Sequence, residues 1–321
     1  MNWQSDSTVQ ALRARAKLLK DIRDFFSGRQ VLEVDTPLLM QGVNNDPFIA
    51  AFKSQDQTRK DYFLQTSPEF AMKRLLATHT HNGLGAIYYL GKAFRQEEYG
   101  PNHNPEFTIL EWYRPEWDHL QLITEVSDLM ANILDTPKPT ILDYADLFSD
   151  LGINPHTATQ AQLADYTKSR KIGGDNLPDL DAVGWLEWIF MYAIESQFNP
   201  NELIVVKNFP KACAQLSKLV PHDEHGEVAA RFEVYYQGYE LANGYFELTD
   251  ATEQKKRFIH CNQVRQTNNL PELPIDNKLI SALESGLGVM SGVALGVDRL
   301  LMIKLGAGHI KEVLSFGWEH V

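Results

Sequence analysis

The chain has 321 residues, 44% of them hydrophobic, and its 30 Lys and Arg against 42 Asp and Glu give a formal charge of −12. That length buries a large core in one or two domains, and the acidic balance argues against a broad grip on nucleic-acid phosphates. No apolar run approaches the ~20 residues of a membrane span, Met1 to Gln10 lacks a signal-peptide core, and two cysteines without metal-type spacing, Cys213 and Cys261, fit a reduced cytoplasm.

Ser7 or Thr8 caps a predicted helix running to about Ser27, with Val9, Leu12, Ala16, Leu19, Ile22 and Phe26 as its apolar stripe. The densest basic segment, Arg13 to Lys20, lies on this helix and reads as a solvated face. Val31 to Leu39 reads as a strand broken at Pro37, and Ile49 to Phe52 and Tyr62 to Gln65 are short strand candidates. In Thr66-Ser67-Pro68-Glu69, Ser67 is a good N-cap and Pro68 a good first helical residue. Glu69 then falls in the first turn, where the helix dipole favours a carboxylate, and where it would also be a rigid acceptor for an amine.

Ile87 to Phe94 and Phe107 to Tyr113 are strand-like and flank a polar loop containing Gly100, Pro101 and Pro105, which predicts an antiparallel pair. Parity places Phe107, Ile109, Glu111 and Tyr113 on one face and Thr108, Leu110 and Trp112 on the other. Arg95, at the end of the first strand, suits two parallel bonds to a phosphate. His103 in the loop suits a more distal phosphate, Phe107 suits stacking on a purine ring, and Glu111 with Tyr113 suits an ammonium. Taken singly these residues also fit a surface salt bridge, a turn histidine and a core phenylalanine; the combination is what points to a site.

Asp118 to Leu134 is a predicted helix, a short helix spans Thr159 to Ser169, and another spans Asp181 to Phe198; 114–200 reads as helical cover on one core. Leu203 to Phe209 and Arg231 to Tyr236 are strands. In Tyr239 to Leu248, Glu240 and Glu247 are seven residues apart, so a bend or bulge at Asn243-Gly244 is needed to bring both carboxylates to one side, where they would recruit Mg²⁺ to a triphosphate. The alternative is a hairpin with an Asn-Gly turn and two solvated glutamates. Asn277 to Gly286 is helical. Ser291 to Leu305 is a glycine-rich strand entering a helix without the Gly-Lys-Ser/Thr of a P-loop; Gly296 lets a nucleotide approach the backbone and Arg299 suits a terminal phosphate.

Phe-Arg-x-Glu at Phe94 to Glu97, followed by His103 and Glu106-Phe-Thr-x-x-Glu-x-Tyr, resembles motif 2 of the class II aminoacyl-tRNA synthetases in its lysine-specific version. Glu33-Val-Asp-Thr-Pro-x-Leu resembles motif 1, and Gly296-Val-Asp-Arg-Leu resembles motif 3. The resemblance covers roughly 8–317 and implies an α+β fold: an antiparallel sheet flanked by helices, as one catalytic domain over 1–321 without the OB-fold anticodon-binding domain. It implies ATP as substrate with Mg²⁺. Arg95, Arg299, Glu240 and Glu247 would be catalytic. Arg95, Gln96, Glu97, His103, Asn104, Phe107, Glu240, Leu241, Gly296 and Arg299 would bind ATP, with Glu240 and Glu247 near the metal. Ser67, Pro68, Glu69, Glu111, Tyr113, Asn243, Glu247 and Ala294 would bind the amino acid, Asn243 at its carboxylate. A homodimer through Glu33 to Leu38 is expected. Ala294 stands where lysyl-tRNA synthetases usually carry glycine. With the absent anticodon module, it makes the chain similar to the bacterial elongation factor P–(R)-β-lysine ligases, which act on a protein. That implies (R)-β-lysine or lysine and elongation factor P as partners, no stable tRNA binding, no membrane and a cytoplasmic location. Two rivals remain: a trimmed synthetase that charges tRNA or makes free lysyl-adenylate, and a non-catalytic amino-acid sensor. Charging of total tRNA would reveal the first, and absence of pyrophosphate exchange the second.

Overall fold

The computed structural model of the chain describes residues 3–80 and 82–321. Asp135–Phe246 forms one compact unit, and the chain on either side of it forms another.

The flanking unit begins with α1 (Val9–Ser27), whose N-cap is Thr8, accepting from the Ala11 amide. The buried stripe is Ala11, Leu18, Ile22, Phe25 and Phe26, while Val9 and Leu12 are exposed. Ile22 and Phe26 of the predicted stripe are buried, but its N-terminal half is out of phase, where Arg15 faces inward: its guanidinium donates to Asp298 Oδ1 at 2.7 Å and to the Val313 carbonyl at 3.1 Å. The predicted strand over Val31 to Leu39 shrinks to β1 (Leu32–Glu33). The Leu32 and Val34 amides bond to the Ala86 and Tyr88 carbonyls, and Pro37 has no amide to continue the ladder. A small sheet follows, β2 (Leu39–Met40), β3 (Lys53–Gln55) and β4 (Asp61–Leu64), in the order β2-β4-β3; Ile49 to Phe52 is not a strand.

Next come α2 (Glu69–His79), β5 (Ile87–Phe94), β6 (Glu106–Pro115) and α3 (His119–Leu134). β5 and β6 pair antiparallel, with Tyr89 opposite Glu111. The Leu122, Val126, Leu129 and Ile133 face of α3 is buried as its periodicity predicts.

The inserted unit carries β7 (Thr140–Asp143), α4 (Tyr144–Ser149), α5 (Gln160–Arg170), α6 (Ala182–Ile189), β8 (Ile204–Pro210), β9 (Leu219–His222), β10 (Gly226–Tyr236) and β11 (Tyr239–Phe246). Its strands run β11-β10-β8-β7, with β9 on β10, and Tyr144, Phe148, Trp185, Phe190 and Phe209 centre its core. Within 114–200 lie the helices α3 to α6 and the strand β7. The first helix, α3, belongs to the flanking unit, and β7 joins a sheet. Asp135, at φ 56°, and the prolines after it end α3 there.

The chain returns with α7 (Ala251–Thr267), α8 (Asn277–Glu284), β12 (Met290–Gly296) and α9 (Val297–Leu305). β12 pairs antiparallel with β6, putting Gly292 opposite Tyr113 and Ala294 opposite Glu111. α7 carries only a weak apolar stripe, so periodicity does not reveal it. No described helix is long and apolar enough to cross a membrane.

Candidate functional site

β6 separates two environments by its alternation. On one face Trp112 Nε1 donates to Glu125 on α3 at 3.0 Å, and the Thr108 amide donates to Asp298 Oδ2 at 2.6 Å. That second bond ties the start of α9 to β6. The other face presents Glu111 and Tyr113 to the start of α2.

There the side chains form a buried acidic pocket. Glu111 Oε1 accepts from the Tyr113 hydroxyl at 2.8 Å, and Oε2 accepts from Ser67 Oγ at 2.7 Å. The N-cap of α2 is Pro68 rather than Ser67, but Ser67 Oγ accepts from the Glu69 amide at 3.1 Å, so one hydroxyl meets the head of α2 and holds Glu111. Lys73 lies one turn beyond Glu69, and its Nζ is 2.6 Å from Glu69 Oε1 and 2.5 Å from Glu247 Oε2. Among the described residues Lys73 is the one partner of the Glu247 carboxylate. Burial, then the charge of Glu69, pushes Glu111 up to about 8, against the Ser67 and Tyr113 bonds. Burial also pushes Glu247 up to about 7, against the pull of Lys73. For Lys73 burial acts downward, but Glu247 and Glu69 outweigh it and the ammonium stays charged. A neighbouring hollow, open to solvent, is lined by Gly42, Asn44, Gln65, Ser67 and Glu69 among others. Gly292 closes the opposite wall: a Cβ there would come 2.5 Å from Glu247 Oε1 and closer still to the Tyr113 ring.

A basic cradle lies in the same unit. The Arg95 guanidinium sits 5.2 Å from the Phe107 ring centroid and is held by Glu98 at 2.9 Å. His103 Nε2 contacts the Arg299 guanidinium, which also donates to the Asn102 carbonyl at 3.4 Å. Burial, then the charges of Arg299 and Arg95, holds the His103 pKa below the ordinary imidazole value, so both arginines bear on one ring. Asn104 is buried, donating to the Glu106 carbonyl and accepting from the Trp318 amide. Gln96 and Glu97 are exposed in the turn after β5. Gly296 is the N-cap of α9, which places Arg299 in its first turn.

Glu240, Leu241 and Asn243 lie on β11 of the inserted unit. The distortion expected at Asn243-Gly244 is instead at Leu241, since Val234 pairs with Ala242 and Tyr235 with Glu240. Asn243-Gly244 is in register within the strand, and the hairpin turn is Gln237-Gly238, both at positive φ (51° and 78°). Asn243 Oδ1 accepts from Arg231 Nε at 3.3 Å and its Nδ2 donates to Tyr245 at 3.2 Å. Arg231 is itself buried against Glu233 and the Cys213 carbonyl.

Among the described residues no group of three or more His, Cys, Asp or Glu is arranged to hold a metal ion. Glu247, buried and committed to Lys73, fits an ammonium better than a hydrated cation. Half-buried Glu240 fits as a single carboxylate beside a phosphate-held ion.

The family model for "tRNA synthetases class II (D, K and N)" matches residues 1–320. The chain belongs to this family. It is 42% identical over 325 residues to the elongation factor P–(R)-β-lysine ligase of Haemophilus ducreyi, covering 99% of this chain and 97% of that protein. It is 44% identical over 320 residues to the protein of the same name from Histophilus somni (98% and 97%). It is 42% identical over 325 residues to that from Pasteurella multocida (99% and 98%). Class II membership agrees with the mostly antiparallel sheets and flanking helices of both units.

Sequence reasoning did not single out Lys73 or Gly292. Lys73 had one legible signal, its position four residues after Glu69. Gly292 had none, because its role depends on strand register.

Proposed function

We propose that this chain is an ATP-dependent ligase that activates (R)-β-lysine as an adenylate and joins it to the ε-amine of a specific lysine on elongation factor P. The relatives' name supports this reading. The observation that carries it is the acidic pocket: three carboxylates, Glu69, Glu111 and Glu247, lie in one buried cluster with a single internal ammonium, Lys73, which contacts Glu69 and Glu247. Fully ionised, the pocket keeps two negative charges, matching a substrate with two ammonium groups.

In the first step a carboxylate oxygen of β-lysine attacks the α-phosphorus of ATP, the α–β phosphoanhydride bond breaks, and pyrophosphate leaves. Arg95 would orient the α-phosphate and the substrate carboxylate, with Asn243 also serving the carboxylate. Phe107 would stack on the adenine, and Gln96, Glu97, Asn104, Leu241 and Gly296 would frame the nucleotide. Arg299 and His103 would neutralise the distal phosphates. Mg²⁺, supplied with the triphosphate, would offset charge on the leaving pyrophosphate, with Glu240 as the chain's carboxylate beside it. In the second step the protein lysine nitrogen attacks the acyl carbon, an amide forms, AMP leaves with the former carboxylate oxygen, and the amine proton goes to solvent. Ala294, paired opposite Glu111, would put a methyl on the pocket wall and favour one amine position over another.

The test is mass spectrometry of elongation factor P incubated with this protein, ATP and each lysine isomer. A gain of one lysyl mass, greatest with (R)-β-lysine, is expected. Unmodified elongation factor P alongside charging of total tRNA would overturn the proposal.

A further inference from the structure

The acidic pocket contains a cation of its own. Lys73 is fully buried, its side chain 2% exposed, and it touches one oxygen each of Glu69 and Glu247. A buried lysine that only stabilised the fold would sit in a balanced cluster. Here a third carboxylate, Glu111, lies in the same cluster and is held by the neutral donors Ser67 and Tyr113. Each of the three carboxylates is therefore tethered by a fixed donor or charge. Glu111 uses two hydroxyls, Glu69 uses Lys73, and Glu247 has Lys73 alone. Because Gly292 has no Cβ, the Tyr113 ring and Glu247 Oε1, the oxygen that Lys73 does not occupy, pack directly against its backbone.

We propose that Lys73 is a positioning and specificity-determining residue of the amine pocket, an internal ammonium that spaces Glu69 and Glu247 and turns one oxygen of each toward a substrate with two ammonium groups. This rests on the reading of the pocket as the amine site. Without the lysine charge, two buried carboxylates face each other with only repulsion between them. They turn apart, and the arrangement that distinguishes a diamine from a monoamine is lost. The lysine touches no reacting atom, so its removal acts on amine recognition and not on ATP.

The experiment is ATP–pyrophosphate exchange by the full chain carrying Lys73→Met, with (R)-β-lysine and with 3-aminohexanoate, which lacks the distal amine. The KM for β-lysine is expected to rise by about tenfold or more and the preference for the diamine to shrink by a similar factor, the scale of one lost charge-assisted contact. The KM for ATP should stay within about twofold. Lys73→Arg, which keeps the charge in a different shape, should recover part of the preference. Lys73→Gln keeps a donor without the charge and serves if the methionine variant does not fold. A folded Met or Gln variant with native diamine preference would overturn the proposal, as would a defect confined to ATP. Failure of the wild type to exchange with any lysine isomer would instead sink the functional reading itself.

Discussion

Gly292 on β12 lies directly opposite Tyr113 on β6, and no side chain larger than hydrogen fits between the tyrosine ring and Glu247. The two strands approach there because the pair is antiparallel and in register, so the conflict is with a ring packed into the sheet and not with a mobile chain end. Gly292→Ala is expected to displace Tyr113 or Glu247, weaken amine binding and cost about 1–3 kcal/mol of stability, the usual range for overpacking. Thermal melts and pyrophosphate exchange against amine concentration would check this. An unchanged KM for the amine would show that the pocket has more slack than the geometry allows.

The acidity of Glu111 predicts a pH dependence. Its folded pKa is pushed up to about 8, by burial first and by Glu69 second. Between the ordinary carboxyl range and that value the folded state holds a proton the unfolded state has lost. The stabilisation from this group is therefore complete below the ordinary carboxyl pKa and fades as pH rises through about 8. Amine binding runs the other way, because an ammonium needs the ionised carboxylate. The KM for β-lysine should fall as pH rises toward 8, approaching roughly tenfold per unit where one proton must leave. Glu111→Gln should flatten that slope. Calorimetry in buffers of different ionisation enthalpy would count the released proton.

Arg231 predicts a stability effect tied to ligand orientation. Its guanidinium holds Asn243 Oδ1 and is buried against Glu233. Arg231→Met removes the counter-ion of the buried Glu233, leaving it the Tyr235 hydroxyl, and should cost about 3–5 kcal/mol. Pairing it with Glu233→Gln should recover much of that loss while leaving Asn243 without its guanidinium donor. Chemical denaturation of the two variants separates these terms. Equal stability of the single and double variants would refute the assignment.

The dimer expected at motif 1 has a concrete surface. Leu32, Leu38 and Leu39 are exposed, at 52%, 43% and 52%, within a segment whose backbone pairs only briefly with β5. Apolar side chains grouped in this way mark an interface more often than open surface. Leu38→Asp is expected to shift the protein to monomer in light scattering after gel filtration. A wild type that is monomeric at all concentrations would exclude the interface.

Strand parity alone placed Glu111 with Tyr113, and helix-start chemistry alone placed Glu69 at the head of α2, because both follow from periodicities a few residues long. Arg95, His103 and Arg299 were legible as phosphate-binding residue types, and the three motif-like stretches carried the family. The sequence did not disclose the phase of α1, since Arg15 turns inward only to meet Asp298 from a distant helix. Nor did it place the β11 distortion at Leu241, which depends on how β10 and β11 pair. Lys73 reads as an ordinary helical lysine until Glu247 is folded against it. Local chemistry repeats within a turn of helix or a pair of strand residues, so it is written in short stretches of chain. Burial and register arise only when distant segments meet, and here they turn one acidic pocket into a site with its own internal cation.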